Sequence, residues 1–201
     1  MSLIRQMAIN EKAQVTFASA IRSFLRQDPD VMLIGEIRDE ETAALATKAA
    51  LTGHLVLSTL HTNDAIGAIS RLSDLKIGSF LLSSSITAII AQRLLRKLCP
   101  FCKKEHSVDD WIKKKHGIEN IIYQHIGCGK CAKTGYIGRV AASEIILIDN
   151  KIRLMIAENR SPVDFYEYTE KKGVKTMRDS AMVLLGRGIT DLAEIERVFG
   201  V

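Results

Sequence analysis

The tightest constraint on the fold is a four-residue apolar run, Val31–Ile34, with Pro29 just ahead of it and Gly35 just behind. A run this short, closed by breakers at both ends, predicts a parallel strand covered on both faces rather than a buried helix. Glu36 falls at the carboxyl end of that strand, followed by Arg38 and Asp39. Open α/β sheets place their ligands at such ends, so a carboxylate there is well placed for chemistry. Glu40–Leu51 is Ala-rich and reads as a helix with Asp39 as N-cap. Gly53 stops it, and His54–Leu60 is a second apolar, β-branched run that closes on His61, Thr62 and Asn63. The pattern is strand, helix, strand, with a polar tip on each strand.

The 201 residues suffice for one large domain or a medium and a small one, and at 5% aromatic the core is aliphatic. The formal charge of +5 comes from mixed signs, with basic clusters as short as Lys103–Lys104 and Lys113–Lys115. That is a solvated, slightly basic surface, and no nucleic-acid partner is expected. No apolar run approaches a membrane span and no secretory signal opens the chain, which points to a cytoplasmic protein.

Upstream of the first strand, Thr16–Gln27 repeats apolar residues at helical spacing with Thr16 as cap. Arg22 and Arg26 share one face of it, which reads as a solvated or salt-bridged helix face. Downstream, Thr62–Asp64 cap a helix Ala65–Leu75 that carries Arg71, and Ser79–Lys97 reads as one long amphipathic helix. Arg93 and Arg96 then fall near its end, where basic residues complement the helix dipole. His61 and His54 stand at opposite ends of the second strand, roughly 20 Å apart at about 3.3 Å per residue, so they cannot serve one small ligand. His61 shares the sheet edge with Glu36; His54 is either satisfied by backbone partners or an interface residue.

Cys99-Pro-Phe-Cys102, twenty-five residues, then Cys128-Gly-Lys-Cys131 accounts for every cysteine in the chain. Two such knuckles supply four thiolates for a tetrahedral Zn²⁺, which predicts a structural metal site. A thioredoxin-like redox role is the runner-up, disfavoured because there are two pairs and neither opens a helix after a strand. With four thiolates present, His106, His116 and His125 are not expected as ligands. Beyond the knuckles, Val140–Ile148 reads as a strand carrying Glu144, and three helix starts follow: after Asp149-Asn150, at Ser161-Pro162, and at Thr176–Asp179. Gly188 ends the third of these helices, and Thr190–Phe199 is the last.

These motifs resemble the bacterial traffic ATPases of type II secretion and type IV pilus assembly. Leu25–Asp39 matches that family's Walker B region, Thr52–Asn63 its histidine box, Ala91–Pro100 its AQRL–LCP segment and Thr134–Arg139 its TGYxGR. The resemblance begins near Ile4, so Met1-Ser2-Leu3 is read as an expression scar, and residues 4–15 are expected to form a short strand and turn. Gln14-Val15 stands where members usually have Gly-Leu. The resemblance implies an α/β, RecA-like P-loop NTPase core at 4–98, a tetracysteine zinc lobe at 99–139, and a strand with a C-terminal helical bundle at 140–201. It implies Glu36 and His61 as catalytic residues, the first acting on Mg²⁺ through water or on the attacking water, the second sensing the γ-phosphate. Arg22, Arg26, Arg38, His54 and Arg93 become nucleotide or interface candidates, and Cys99, Cys102, Cys128 and Cys131 zinc ligands. It further implies ATP and Mg²⁺ as cofactors of a hexameric parent at the inner membrane, bound to platform proteins.

No G-x-x-x-x-G-K-[ST] loop is present, so the chain carries the Walker B half of such a motor without its phosphate cradle. The chain alone is therefore expected to be inactive. Retraction-type members generally lack the four cysteines, which places this chain on the assembly or secretion side. The competing reading is a zinc-stabilised, non-enzymatic binding or nucleic-acid adaptor module.

Overall fold

In the computed structural model, residues 4–118 and 121–200 are described; Met1-Ser2-Leu3 lie outside them. The elements run α1 (Phe17–Leu25), β1 (Val31–Ile34), α2 (Glu40–Leu51), β2 (Leu55–Ser58), α3 (Ala65–Asp74) and α4 (Ser79–Ser85). There follow β3 (Ala88–Leu98), β4 (Lys104–His106), α5 (Asp110–His116), β5 (Ile122–Gln124) and β6 (Tyr136–Leu147). Four helices close the chain: α6 (Asn150–Ala157), α7 (Pro162–Lys171), α8 (Met177–Gly186) and α9 (Leu192–Phe199).

Two compact units result. The first is the chain up to Ile89 with Ile146–Thr169; the second is Ile90–Ile145 with the chain from Glu170. The divisions expected at 98/99 and 139/140 fall elsewhere because β3 and β6 pair with each other, which joins the strands on both sides of the cysteine segment. The expected C-terminal bundle is divided likewise, α6 and most of α7 going with the first unit and α8 and α9 with the second.

In the first unit β1 and β2 pair in parallel, Val31 opposite Leu55 through Ile34 opposite Ser58, as the sequence pattern requires. Asp39 caps α2 by accepting from Thr42 N at 2.8 Å, and the alanine face of α2 (Ala43, Ala46, Ala49) is buried. The expectation that β1 is covered on both faces fails. Met32 and Ile34 are buried, but Val31 is 56% and Leu33 76% exposed, and Leu55 and Leu57 on β2 are exposed as well. A parallel strand needs cover on each side to bury a continuous apolar run, and among the described residues only one face of this pair receives it.

Residues 4–9 form no strand. An isolated antiparallel bridge joins Asn10 to Val15 around a 3₁₀ turn at Glu11–Ala13, and Gln14 sits at φ 59. That is the left-handed region where glycine is at ease and other L-residues are disfavoured by roughly 1–2 kcal/mol.

The single helix expected over 79–97 is in fact α4 and β3. Ser83-Ser84-Ser85 are weak helix formers, and Ile86, Thr87, Ile89 and Ile90 are β-branched. The helix stops after seven residues, and the apolar residues that mimicked a 3.6 period enter a strand paired with β6, with Leu95 and Leu98 buried. In the second unit Leu95, Ile122, Ala142, Ala181, Leu185 and Ile195 form one core cluster, so α8 and α9 pack with the cysteine segment. There β4 and β5 pair antiparallel, Lys104 opposite Gln124.

Candidate functional site

The tips of β1 and β2 are tied across. Ile37 N donates to Thr59 O at 3.0 Å, and Thr59 Oγ1 donates to Gly35 O at 2.7 Å. This holds Glu36 toward the end of β2, where its Oε2 lies 3.1 Å from His61 Nε2 and 2.6 Å from Arg38 Nε. The carboxylate is largely covered while His61 stands out into solvent. The Arg38 hydrogen bond, opposed by partial burial and aided by His61, holds the Glu36 carboxyl below its ordinary value. Glu36, Arg38 and His61 therefore meet, two of them from strand tips and the third two residues on. Such a site can accept a proton, orient water or hydrogen-bond an anion at the exposed imidazole.

The other arginine and histidine candidates lie elsewhere. His54 Nδ1 is 3.0 Å from Ala49 O and 3.2 Å from Thr52 Oγ1, at the start of β2, so it has the backbone partner that one of its two readings required. Arg22 pairs with Glu41, and Lys76 with Glu40 at 2.8 Å; both are exposed pairs of small energetic weight. Arg26 is exposed at the C-cap of α1. Arg93 is on β3 in the second unit, so the helix-dipole argument for it and for Arg96 does not apply.

The four cysteine sulfurs lie within 4.8 Å of one another. Three pairs stand at 3.9, 3.9 and 3.7 Å. Four sulfurs about 2.3 Å from one ion at tetrahedral angles are about 3.8 Å apart, so the cage has metal dimensions, and none of the cysteines is in a disulfide. Backbone amides point at the sulfurs: Gly127 N at Cys102, Cys128 N and Gly135 N at Cys131, at 3.4, 3.1 and 3.2 Å. Burial would raise the Cys131 thiol, but the Cys128 and Gly135 amides outweigh it and bring it to about 6; burial dominates at Cys102 and pushes that thiol to about 11. Gly127 has φ 113, and a Cβ there would stand 2.5 Å from Lys133 O, so the second knuckle closes only on glycine. None of His106, His116 and His125 joins the cage.

A buried polar network in the second unit was not foreseen. Glu194, fully buried, accepts from Arg96 N, Nε and Nη2 and from Arg197 Nε and Nη2 at 2.6–2.8 Å. Asp191, the N-cap of α9, meets His125 and Tyr136. The i,i+3 relation of Glu194 to Arg197 was legible. The partner 98 residues earlier was not, since it depends on β3 being a strand.

An α/β chain with a carboxylate and an imidazole joined across parallel strand tips, and a four-thiol cage of metal dimensions, is a narrow class. The comparisons make it narrower: the model of the Type II/IV secretion system protein family matches residues 1–197, and the chain belongs to that family of secretion and type IV pilus traffic ATPases. Similar proteins include the type IV pilus assembly ATPase PilB of Thermus thermophilus, 42% identical over 96% of this chain and 22% of that protein. Type II secretion system protein E of Dickeya dadantii is 44% identical over 97% of this chain and 39% of its own length. The chain thus spans about two-fifths or less of these relatives. Among solved structures, the pilus retraction motor PilT with bound ADP is 31% identical with a TM-score of 0.61, covering 90% of this chain and 43% of that one. The Legionella pneumophila ATPase DotB, at 22% identity and a TM-score of 0.63, shares the fold.

Proposed function

We propose that the chain is the C-terminal, Walker B and histidine-box part of a hexameric cytoplasmic ATPase that powers type II secretion or type IV pilus assembly from the inner membrane. The observation that carries this reading is the Glu36–His61 pair, joined across the tips of two parallel strands, in a chain 42–44% identical to proteins named for secretion or pilus assembly. In phosphoryl transfer the protein contributes position and charge rather than covalent chemistry. Glu36, held ionised beside Arg38, orients the attacking water or a water on Mg²⁺. His61, exposed beside it, hydrogen-bonds the terminal phosphate and registers its departure. ATP with Mg²⁺ supplies the phosphoryl group and the neutralising charge, and the phosphate cradle is contributed by the rest of the parent's RecA-like core. The open apolar face of β1 and β2 suits cover by that remainder.

The four thiols hold a structural Zn²⁺: a closed set of four sulfurs leaves no position for catalysis. Their presence supports the reading that the parent acts on the assembly or secretion side, with platform proteins as partners. Deleting the parent gene tests this. Loss of fibres or of export is expected; a strain with excess fibres that fail to withdraw would overturn it.

A further inference from the structure

In the second unit, the stretch Gly188–Glu194 leading into α9 is gripped by residues that flank the cysteines on both sides of both knuckles. Ahead of Cys99, Leu98 N donates to Ile189 O at 2.8 Å, and Arg96 O accepts from Thr190 Oγ1 at 3.0 Å. Behind Cys102, Lys103 Nζ donates to Gly188 O at 2.7 Å. Gly188 has φ 62, and a Cβ there would lie 2.7 Å from Tyr123 Cδ2, so the grip has no slack. Ahead of Cys128, His125 N and Nδ1 stand 3.1 and 2.6 Å from Asp191 Oδ2. Behind Cys131, Gly135 N donates to the Cys131 sulfur and Gly135 O accepts from Cys99 N. The next residue, Tyr136, donates its hydroxyl to Asp191 Oδ1 at 2.9 Å and stacks its ring against His125.

We propose that a metal in the four-thiolate cage latches α9, and that its loss frees residues 188–199 together with the knuckles. The proposal rests on reading the cysteines as a metal site. Without an ion, nothing bonds the four sulfurs to one another, and the flanking residues lose their common anchor. Asp191, at 2% exposure, would then face burial without its His125 and Tyr136 donors, and Glu194, at 0%, would keep only Arg197 of its two arginines, which is costly enough to move the segment toward water. Helix α8 shares the apolar core with α9, Ala181 and Leu185 sitting there beside Ile195, but none of the bonds that tie residues 188–194 to the knuckle flanks reaches it. Coupling of this kind is reciprocal, so loosening α9 must weaken the hold on the metal by the same factor.

The test is hydrogen exchange on the zinc-loaded protein and on the same protein stripped by chelator under reducing conditions. Exchange over 188–199 is expected to rise about 10-fold or more on stripping, with α8 and α2 unchanged. Faster exchange confined to the knuckles, or equal loss over α2, would overturn the latch. Asp191→Asn keeps an N-cap residue while removing the charge held by His125 and Tyr136. It should weaken zinc affinity, read by equilibrium competition with a chelator, about 5-fold or more, and an unchanged affinity would also overturn the latch. Protein purified without bound zinc would instead refute the metal reading itself.

Discussion

Replacing Glu194 by Gln keeps the shape of the side chain and removes its charge from a site with five N–H donors aimed at it. Burial would raise this carboxyl, but the Arg197 and Arg96 hydrogen bonds outweigh it and bring it from 4.5 to about 2. At about 1.36 kcal/mol per pH unit, that is about 3 kcal/mol of stability at neutral pH, close to the lower end of what breaking a buried ion pair costs. The folded value is depressed, so this stabilisation is complete above about 4.5 and is lost as pH falls toward about 2. Hydrogen exchange of α9 followed along a urea series reports the unit concerned. Glu194→Gln should lower stability by about 3 kcal/mol at pH 7, and the gap to the parent protein should close between pH 5 and 2. Acid also strips metal from thiolates, and earlier from the variant if α9 and the metal are coupled, so bound zinc is measured in both proteins at each pH. A gap under about 1 kcal/mol at pH 7, or one that stays constant into acid, would refute the argument.

Metal analysis of protein purified under reducing conditions should find one zinc per chain, and Cys128→Ser should abolish it while Val31–Ile34 keeps its hydrogen-exchange protection. Gly127→Ala should lower the unfolding midpoint of the second unit and cost more than about 1 kcal/mol, because a Cβ would meet Lys133 O at 2.5 Å; an unchanged midpoint would contradict the knuckle geometry. Arg38→Ala should let the Glu36 carboxyl rise toward its ordinary value, read from its carbon-13 titration, since the Arg38 hydrogen bond is the largest cause of its depression.

What the sequence disclosed was governed by short-range rules. Val31–Ile34, the Asp39 cap, Glu40–Leu51 and the Thr176 cap of α8 were readable because breakers, caps and Ala-rich runs act within a few residues. The meeting of Glu36 with His61 was readable too, because parallel pairing sends both strand tips to one edge. The cysteine cage followed from spacing alone. The stretch 79–97 was misread because its apolar positions satisfy a helical period and a strand equally well, and pairing of β3 with β6 decides between them. The grip of Arg96 on Glu194 and of His125 and Tyr136 on Asp191 was hidden for the same reason: it joins residues 55 to 98 positions apart. The exposure of Leu33 was also invisible, since an apolar strand reads alike whether one face or two are covered.

ATP turnover by the full-length parent carrying Glu36→Gln tests most directly the proposed role of Glu36 as the hydrolytic carboxylate. The amide keeps the hydrogen-bonding shape but cannot orient water as a carboxylate does, so turnover should fall by about 100-fold or more while nucleotide affinity stays within a few-fold of the parent's. Turnover at the parent's rate in that variant would contradict the account.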